Sequence, residues 1–436
     1  MSRKDRFSAL YIISVCLLIL SFDQTSGRAE NVQIVDKGNY CLVTINAQSA
    51  TSSAIGSELG SKIPTAVPDY EWLLDSYIVE GAEEEWIYDE LMLRVNDIRS
   101  QVPSAYQDEI NAMSAAMNLS TTNGFGDGQL SRDELWLYNL IPDVAREYQC
   151  SALGIYSNLS ASGRTIAARL LDWDVGTNNQ LAKLQAVYRF NNGSKTITTI
   201  GFLGFQAILS GYNDDNVFVS ILDSETGSPY ASINRRSYGF DLRYALENEN
   251  NLGSIAAYMS DPLKNYAFNH LIFMADAVSA VVLENNFSGT GSNMRRALRR
   301  ADSVLNSGIE WGFTDAVASV NAFMLLGNHD NYTGELWNTA RWSSFRSQLA
   351  SKGATVTWEE LKEIATYDGG NGPGSNTTGD IYTDGNIQII LFEPASGKLE
   401  VAFHPKTGAV QSNPVFDVVF AAHPVLPWIP LLLMDQ

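Results

Sequence analysis

The spacing of apolar side chains changes at one point in this chain, close to Cys150, and that change restricts the fold more than any other feature. Upstream, apolar residues recur every three or four positions over Asp69–Arg99 and again after Pro103, which predicts helices. Downstream, apolar and polar residues alternate, which predicts strands at Cys150–Tyr156, Thr165–Leu171, Ala186–Phe190, Thr196–Ile200 and Asn216–Leu222. Helical spacing returns at Leu252–Met259 and Asn293–Leu305, and further strands are predicted at Ala277–Leu283, Ile387–Phe392 and Leu399–Phe403. This order of elements predicts an α+β layered domain.

The first 29 residues have the pattern of a secretory signal peptide. Three basic residues precede the apolar run Ala9–Leu20, which is too short to span a bilayer. Gly27-Arg28-Ala29 is a small-residue cleavage site. We therefore expect a secreted or lysosomal protein whose mature chain starts near Glu30.

The composition is acidic, with a formal net charge of −20. Such a charge repels nucleic acid and anionic lipid, and no basic stripe offsets it, so we expect no nucleic-acid partner. Asn-x-Ser/Thr sequons occur at Asn118, Asn158, Asn192, Asn286, Asn331 and Asn376. Together with a signal peptide they favour a eukaryotic secretory or lysosomal protein.

Cysteine is rare in this sequence. Cys16 lies in the signal segment, so the mature chain keeps Cys41 and Cys150 alone. Two cysteines make neither a disulfide scaffold nor a CxxC metal site. Composition by itself favours either a single Cys41–Cys150 bridge or two inert buried thiols.

Asn123–Glu134, with the sequence NGFGDGQLSRDE, resembles a calcium loop. Gly128 stands at the sixth position and Glu134 at the twelfth, but Phe125 occupies a position that should carry an oxygen ligand. The alternative is a glycine-rich turn followed by a capping box, Ser131-x-x-Glu134, which starts the next helix.

Familiar catalytic motifs are missing from the sequence. There is no GxSxG elbow, no Walker loop and no HExxH, and the histidines have no metal-binding spacing: His270, His329, His404 and His423. We therefore expect no metal or organic cofactor.

Cys150 offers another route to a nucleophile. If the peptide bond after Gln149 is cut, Cys150 acquires an α-amino group, whose usual pKa of about 7.7–8 lets it take the thiol proton near neutral pH. Such a design needs a cation and a carboxylate nearby, and Arg169 and Asp172 follow one hairpin later. Strict alternation would put these two on opposite faces, so a bulge or a strand end is required near Leu171.

Two segments then carry a resemblance to a known family. Cys150-Ser-Ala and Ala168-Arg-Leu-Leu-Asp-Trp173 are similar to the motifs of the N-terminal-nucleophile cysteine hydrolases of linear amides. That group includes penicillin V acylase, bile salt hydrolase, acid ceramidase, N-acylethanolamine acid amidase and the isopenicillin N acyltransferase-like family. Gly201–Gly204, Ser210–Asp215 and Gly327–Asp330 resemble further family segments in the same order.

The resemblance implies roles for individual residues. Cys150 would be the nucleophile, freed by self-cleavage after Gln149, and Arg169 and Asp172 would hold its thiolate and α-amine. The other implied site residues are the oxyanion donor Asn213, a second polar group Asn328, and a late arginine, either Arg341 or Arg346, of which Arg341 is preferred for its spacing from Asn328.

The resemblance also implies a four-layered αββα sandwich formed by residues 150–436, with a helical segment over 30–149 packed beside it as an α-subunit. The implied activity is hydrolysis of an N-acyl amide, possibly a lipid, through a Cys150 thioester, with both fragments staying associated. Acyl transfer, ester hydrolysis of the phospholipase B-like type, and a non-catalytic binding protein with a Cys41–Cys150 bridge stay open. The apolar tail Val425–Met434 implies at most peripheral membrane contact.

Overall fold

The computed structural model describes residues 30–145, 149–225, 231–287, 295–328, 332, 336–370, 372–374 and 379–421. The chain divides into two units, Met1–Asn31 and Val32–Gln436, and the second contains Cys150 and every strand and helix of the described residues. The expected signal peptide, the apolar tail and the sequons Asn331 and Asn376 lie outside the described residues.

Helices dominate the segment before Cys150, as predicted, but two strands precede them. The strands are β1 (Val32–Asp36) and β2 (Cys41–Asn46), and the helices are α1 (Ser52–Ala66), α2 (Tyr70–Ala82), α3 (Glu85–Arg99), α4 (Ser104–Ala116) and α5 (Arg132–Val144). The single helix predicted over 69–99 is two, because the backbone at Glu83 has a φ of 58° that ends α2.

Strands dominate after Cys150. They are β3 (Gln149–Ile155), β4 (Ile166–Asp172), β5 (Gln185–Asn191), β6 (Thr196–Phe202), β7 (Ser210–Asn213), β8 (Phe218–Asp223), β9 (His270–Ala275), β10 (Ala280–Asn286), β11 (Arg295–Arg299), β12 (Ala316–Ser319), β13 (Asn386–Glu393), β14 (Lys398–Phe403) and β15 (Phe416–Phe420). The helices among them are α6 (Gln180–Lys183), α7 (Tyr238–Asn248), α8 (Leu252–Met259), α9 (Leu336–Ser351) and α10 (Trp358–Ala365).

These strands form two sheets. One has nine strands in the order β1-β2-β5-β6-β7-β8-β9-β10-β11, and the other has six in the order β12-β3-β4-β13-β14-β15. β3 and β8 face each other across the interface between the sheets. Helix α7 packs on β6 and β7, whereas α9 and α10 pack on β12 and β4. The layer order is therefore αββα, which confirms the predicted fold class.

Side-chain alternation in the six-stranded sheet produces two separate cores. Leu153 and Leu170 point outward and pack with Trp342 and Leu361 of the outer helices. Cys150 belongs to the larger core, which fills the space between the sheets. The nucleophile predicted from sequence therefore lies in the interior of the sandwich.

The segment before Cys150 is joined to the body by a sheet and by buried polar contacts. β2 pairs in parallel with β5, so this segment supplies an edge of the nine-stranded sheet. Glu109 of α4 and Arg243 of α7 form a buried ion pair at 3.0 Å. The expectation of a purely helical segment over 30–149 is corrected by this strand pair.

The predicted helix over 293–305 is wrong. Arg295–Arg299 is the edge strand β11, paired with β10. Arginines interrupted by Ala297 and Leu298 suit a helix by local propensity. The segment forms a strand instead, because it pairs with β10 and Arg299 contacts Glu284 of that strand at 2.8 Å.

The Asn123–Glu134 loop ends in the capping box that the second interpretation predicts. Ser131 accepts from the Glu134 backbone N–H, and Glu134 accepts from the Ser131 backbone N–H. The second Glu134 oxygen accepts from Tyr88 at 2.8 Å. Within the described ranges no group of three or more His, Cys, Asp or Glu side chains is arranged to hold a metal ion, so the calcium interpretation has no support.

Among the residues that the structure describes, no helix is both long and apolar enough to cross a bilayer. The sequons differ in accessibility. Asn118, Asn158 and Asn192 are exposed, whereas Asn286 is 1% exposed within β10 and bonded to Asn328.

Candidate active site

Cys150 is the second residue of β3 and is fully buried. Gln149 pairs with Asp172 and Cys150 with Leu171, so the predicted scissile bond lies at the very start of the strand. The Cys150 side chain is 0% exposed. Local sequence explains the strand, because the alternating run from Cys150 to Ile155 matches the pleat.

Arg169 reaches the Cys150 sulfur directly. Its register partner on β3 is Ala152, which places the guanidinium on the same face of the sheet as Cys150. Arg169 Nη2 lies 3.2 Å from Cys150 Sγ and 3.2 Å from the carbonyl oxygen of Ile221 on the facing sheet. One buried cation is therefore in contact with the thiol.

Asn321 holds the backbone nitrogen of Cys150, and the sequence did not single it out. The Cys150 N–H donates to Asn321 Oδ1 at 2.8 Å, while Asn321 Nδ2 donates to the carbonyl oxygen of Asp223 at 2.8 Å. Asn321 is 0% exposed and lies two residues after β12. The available signal was a polar residue that follows a short alternating strand.

The thiol is held in its protonated form in the uncut chain. Burial raises the pKa of Cys150 to about 12, although the Arg169 guanidinium and a backbone hydrogen bond from Asp172 lower it. The carboxylates of Asp172 and Asp223 raise it further. The balance of these effects favours the neutral thiol.

Asp172 is the last residue of β4 and is held by Arg341 and Asn386. Arg341 Nη1 lies 2.5 Å from Asp172 Oδ2, and Asn386 Nδ2 donates to Asp172 Oδ1. Burial raises the pKa of the Asp172 carboxyl, while the Arg341 guanidinium lowers it. Asp172 ends β4, which is the strand end that the alternation required; the pairing of β3 with β4 is regular through Leu171, and the bulge lies in β13 between Asn386 and Gln388.

The two candidate arginines of α9 take different places. Arg341 is 1% exposed and forms the Asp172 ion pair. Arg346 faces outward to Glu310, with side chains 37% and 79% exposed. Arg341 therefore lies with Asp172 at the end of β4, and Arg346 does not.

Asn213 lies away from Cys150, and its side chain is bonded to backbone groups elsewhere. Its amide donates to the carbonyl oxygens of Leu246 and Glu249, and its oxygen accepts from Val217. Leu209 is bonded to Ile221, the residue that Arg169 contacts. Asn213 is four residues further along, roughly 13 Å at about 3.3 Å per residue.

Asn328 also takes a different place from the predicted one. Its amide donates to Glu284 Oε2 at 2.9 Å, and its oxygen accepts from Asn286 at 2.9 Å. These contacts tie Asn328 to β10. The asparagine bonded to Cys150 is Asn321 instead.

An apolar pocket lies where the segment before Cys150 meets the residue after Asp172. Its lining includes Tyr77, Ile78, Leu91, Leu137, Ile141, Ala145 and Trp173. Trp173 is the direct neighbour of Asp172, and Ala145 closes α5 just before the predicted scissile bond. This apolar space of about 60 Å³ therefore lies beside Trp173, directly after β4, and beside the end of α5.

Cys41 and Cys150 are both free and buried, which removes the bridge that the binding-protein reading requires. A thiol beside a guanidinium, with its own nitrogen fixed and a carboxylate–arginine pair at the adjoining strand end, is arranged for attack on a carbonyl.

Comparisons with known proteins give the following likenesses. No family model matches the sequence, and no curated protein matches it. The fold is similar to a Caenorhabditis elegans N-acylethanolamine-hydrolyzing acid amidase ortholog, with 16% identity, a TM-score of 0.40, and coverage of 56% of this chain and 93% of that one. A mutant conjugated bile acid hydrolase from Clostridium perfringens matches at 10% identity and a TM-score of 0.36, over 61% and 92% of the two chains. Penicillin V acylase from Agrobacterium tumefaciens matches at 8% identity and a TM-score of 0.37, over 62% and 86%.

Proposed function

We propose that this chain is a self-processing cysteine amidohydrolase that cuts its own backbone between Gln149 and Cys150 and then hydrolyses N-acyl amides. The observation that carries the proposal is the position of Cys150. Its sulfur lies 3.2 Å from the Arg169 guanidinium, and its nitrogen is fixed by Asn321 at the start of a strand. The sulfur and the backbone nitrogen of Cys150 are therefore held by different partners. This arrangement suits a nucleophile that becomes the amino-terminal residue of a new chain.

Self-cleavage proceeds through an N-to-S acyl shift. The Cys150 sulfur bonds to the Gln149 carbonyl carbon, the C–N bond breaks, and the thiol proton ends on the nitrogen. Water then hydrolyses the thioester, which frees the thiol and leaves Gln149 with a carboxylate. Because burial keeps the thiol protonated, the shift is expected to be slow until the thiolate becomes accessible.

Turnover uses the new α-amino group as the base. The amine takes the thiol proton, Arg169 stabilises the thiolate, and sulfur attacks the substrate carbonyl. Collapse of the tetrahedral intermediate releases the amine with a proton and leaves a thioester on Cys150. Water cleaves that thioester to give a carboxylic acid. Asp172, held by Arg341, orients and stabilises the ammonium form.

The substrate is proposed to carry an apolar acyl group. The apolar pocket beside Trp173 and Ala145 supports this, because it lies next to the Asp172 end of β4. The same pocket is lined by α2, α3 and α5, so substrate binding requires both fragments to remain together after cleavage. The signal-like leader supports action in a secretory or lysosomal compartment.

The test is hydrolysis of a set of N-acyl amides of increasing chain length, with esters of the same acids in parallel. Processed wild-type protein should release acid from the amides, and Cys150→Ala should release none while keeping the wild-type circular dichroism spectrum. Cys41→Ala is the matched control, since Cys41 is also buried but lies in β2, and should retain activity. Equal hydrolysis by wild type and Cys150→Ala would refute the proposal, and activity on esters alone would reassign it to an ester hydrolase.

A further inference from the structure

Asn338 carries a buried acceptor that no described residue satisfies. The side chain is 0% exposed, and its Oδ1 has no hydrogen-bond partner among the residues that the structure describes. Its Nδ2 donates weakly, to the Asn321 carbonyl oxygen at 3.4 Å and to Glu225 Oε2 at 3.5 Å. A buried amide oxygen without a donor is unfavourable and needs an explanation.

The position of Asn338 connects this oxygen to Cys150. Asn338 lies on α9, three residues before Arg341, so both side chains project from the same face of the helix. Arg341 holds Asp172, and Asn338 contacts Asn321, the residue that accepts the Cys150 N–H. Asn321 therefore connects the two residues, with its backbone carbonyl oxygen at the Asn338 Nδ2 group and its side-chain oxygen at the Cys150 nitrogen.

Counting donors before and after cleavage shows what is missing. In the uncut chain the Cys150 nitrogen has one N–H, which Asn321 Oδ1 accepts. An α-ammonium group has three N–H donors, so cleavage creates two that need acceptors in a buried place. Asp172, Asp223 and Glu225 offer charged acceptors near this end of the sandwich, and the Asn338 oxygen is an uncharged acceptor there that has no described donor.

We propose that the Asn338 side-chain oxygen accepts a hydrogen bond from the α-ammonium group of Cys150 once self-cleavage has formed it. The inference rests on the proposed function, since the donor exists only in the cut chain. It assigns to Asn338 the tuning of the catalytic base, and it explains why its oxygen has no described partner before the cut.

Charged side chains from β4, from the end of β8 and from α9 lie around Cys150 and Asn338. Arg169 and Asp172 lie on β4, Asp223 and Glu225 at the end of β8, and Arg341 on α9. An uncharged acceptor added to this set favours the ammonium form and raises the pKa of the amine. Removing that acceptor should lower the pKa, and replacing it with a carboxylate should raise it.

The experiment compares Asn338→Leu and Asn338→Asp with wild type, using kcat/KM of the processed enzyme against pH. Asn338→Leu should move the acidic limb to lower pH by about one unit, a tenfold change in the acid constant, and Asn338→Asp should move it to higher pH. Opposite shifts are the signature, because a merely structural role would lower the rate in both variants without moving the limb in two directions. If Asn338→Leu fails to fold, Asn338→Ala takes its place, because an added carboxylate alone would raise the pKa of a nearby amine by its charge.

Asn285→Leu is the matched control. Asn285 is also fully buried with an unpartnered Oδ1, but it lies on β10 beside His270. It should leave the limb unchanged. An unshifted limb in both Asn338 variants, or shifts in the same direction, would overturn the inference while the proposed function stands. Wild-type protein that is active but uncut at Cys150 would instead overturn the proposed function.

Discussion

Two buried polar clusters use similar groups for different purposes: one is formed by residues from Cys150 onward, and the other joins residues from both sides of the predicted cut. The nucleophile cluster consists of Cys150, Arg169, Asp172, Asn321 and Arg341. The bridging cluster consists of Glu109, Asp143, Ser237, Tyr238 and Arg243. Both bury carboxylates, and both contain an arginine ion pair.

The clusters differ in what they connect. In the bridging cluster, Arg243 donates to both oxygens of Glu109, and Asp143 accepts from Ser237 and the Tyr238 backbone, so α4 and α5 are tied to α7. In the nucleophile cluster the contacts converge on one sulfur and one nitrogen. A buried ion pair therefore does not by itself indicate a catalytic site. The two clusters differ because only one of them contains a thiol that could react.

The largest effect is expected from Arg341→Leu. Loss of its guanidinium leaves Asp172 buried without its cation, so the ammonium of Cys150 loses its oriented carboxylate. We expect kcat/KM per folded, processed molecule to fall by about 100-fold or more. Arg346→Leu is the matched control on the same helix, because its ion pair is exposed. Equal activity in the two variants would remove Arg341 from the site.

Glu109→Gln tests whether the bridging cluster contributes to stability and not to activity. It removes the carboxylate that both terminal nitrogens of Arg243 contact, while Glu247 still contacts Arg243 Nε at 2.9 Å, so we expect a cost of about 1.5–3 kcal/mol of unfolding free energy. Urea unfolding measures this cost. Glu90→Gln, which breaks a half-exposed helical pair, should cost less than about 0.5 kcal/mol. Activity of the folded fraction should stay near wild type, and a large loss of kcat would contradict the division of roles.

Asp143→Asn tests how the bridging cluster makes the free energy of unfolding depend on pH. Burial raises the pKa of Asp143 to about 7, although hydrogen bonds from Ser237 and Tyr238 lower it. A carboxyl with a raised pKa stabilises the fold when protonated, so its contribution is complete below about pH 4 and is lost as pH rises through about 7. The loss amounts to at most about 4 kcal/mol. Unfolding free energies between pH 4 and 8 should fall in wild type and be flatter in Asp143→Asn; parallel curves would contradict this.

The smallest effect is expected from Asn213→Ala, which lies in neither cluster. Its amide bonds only the backbone of Leu246, Glu249 and Val217 among its described contacts. We expect a loss of about 1–3 kcal/mol in stability and an unchanged kcat/KM. A drop of 100-fold in kcat/KM would restore the oxyanion role that the resemblance implied.

The local sequence pattern sufficed for strands that lie in the interior of the sandwich and are bounded by turn residues. β3, β4, β5 and β6 were predicted within two residues at their ends, because alternation continues through each of them. β1, β2 and the helix α1 were missed, and β11 was taken for a helix. These elements depend on partners distant in sequence, such as the parallel pairing of β2 with β5.

The dependence on residues distant in sequence also explains which site residues were predicted and which were missed. Cys150, Arg169 and Asp172 lie on adjacent strands of one hairpin, so their spacing predicted their meeting. Asn321 reaches Cys150 from 171 residues away and has no motif of its own. Asn213 and Asn328 fitted the spacing of the resemblance, yet the structure turns both toward other partners.

The central claim is a cut that converts Cys150 into a chain start, and amino-terminal sequencing of the purified, fully active protein tests it most directly. The account predicts two sequences, one beginning near Glu30 and one beginning Cys150-Ser-Ala-Leu-Gly, with the second absent from Cys150→Ala. A fully active protein with a single, uncut chain through Gln149 and Cys150 would contradict it.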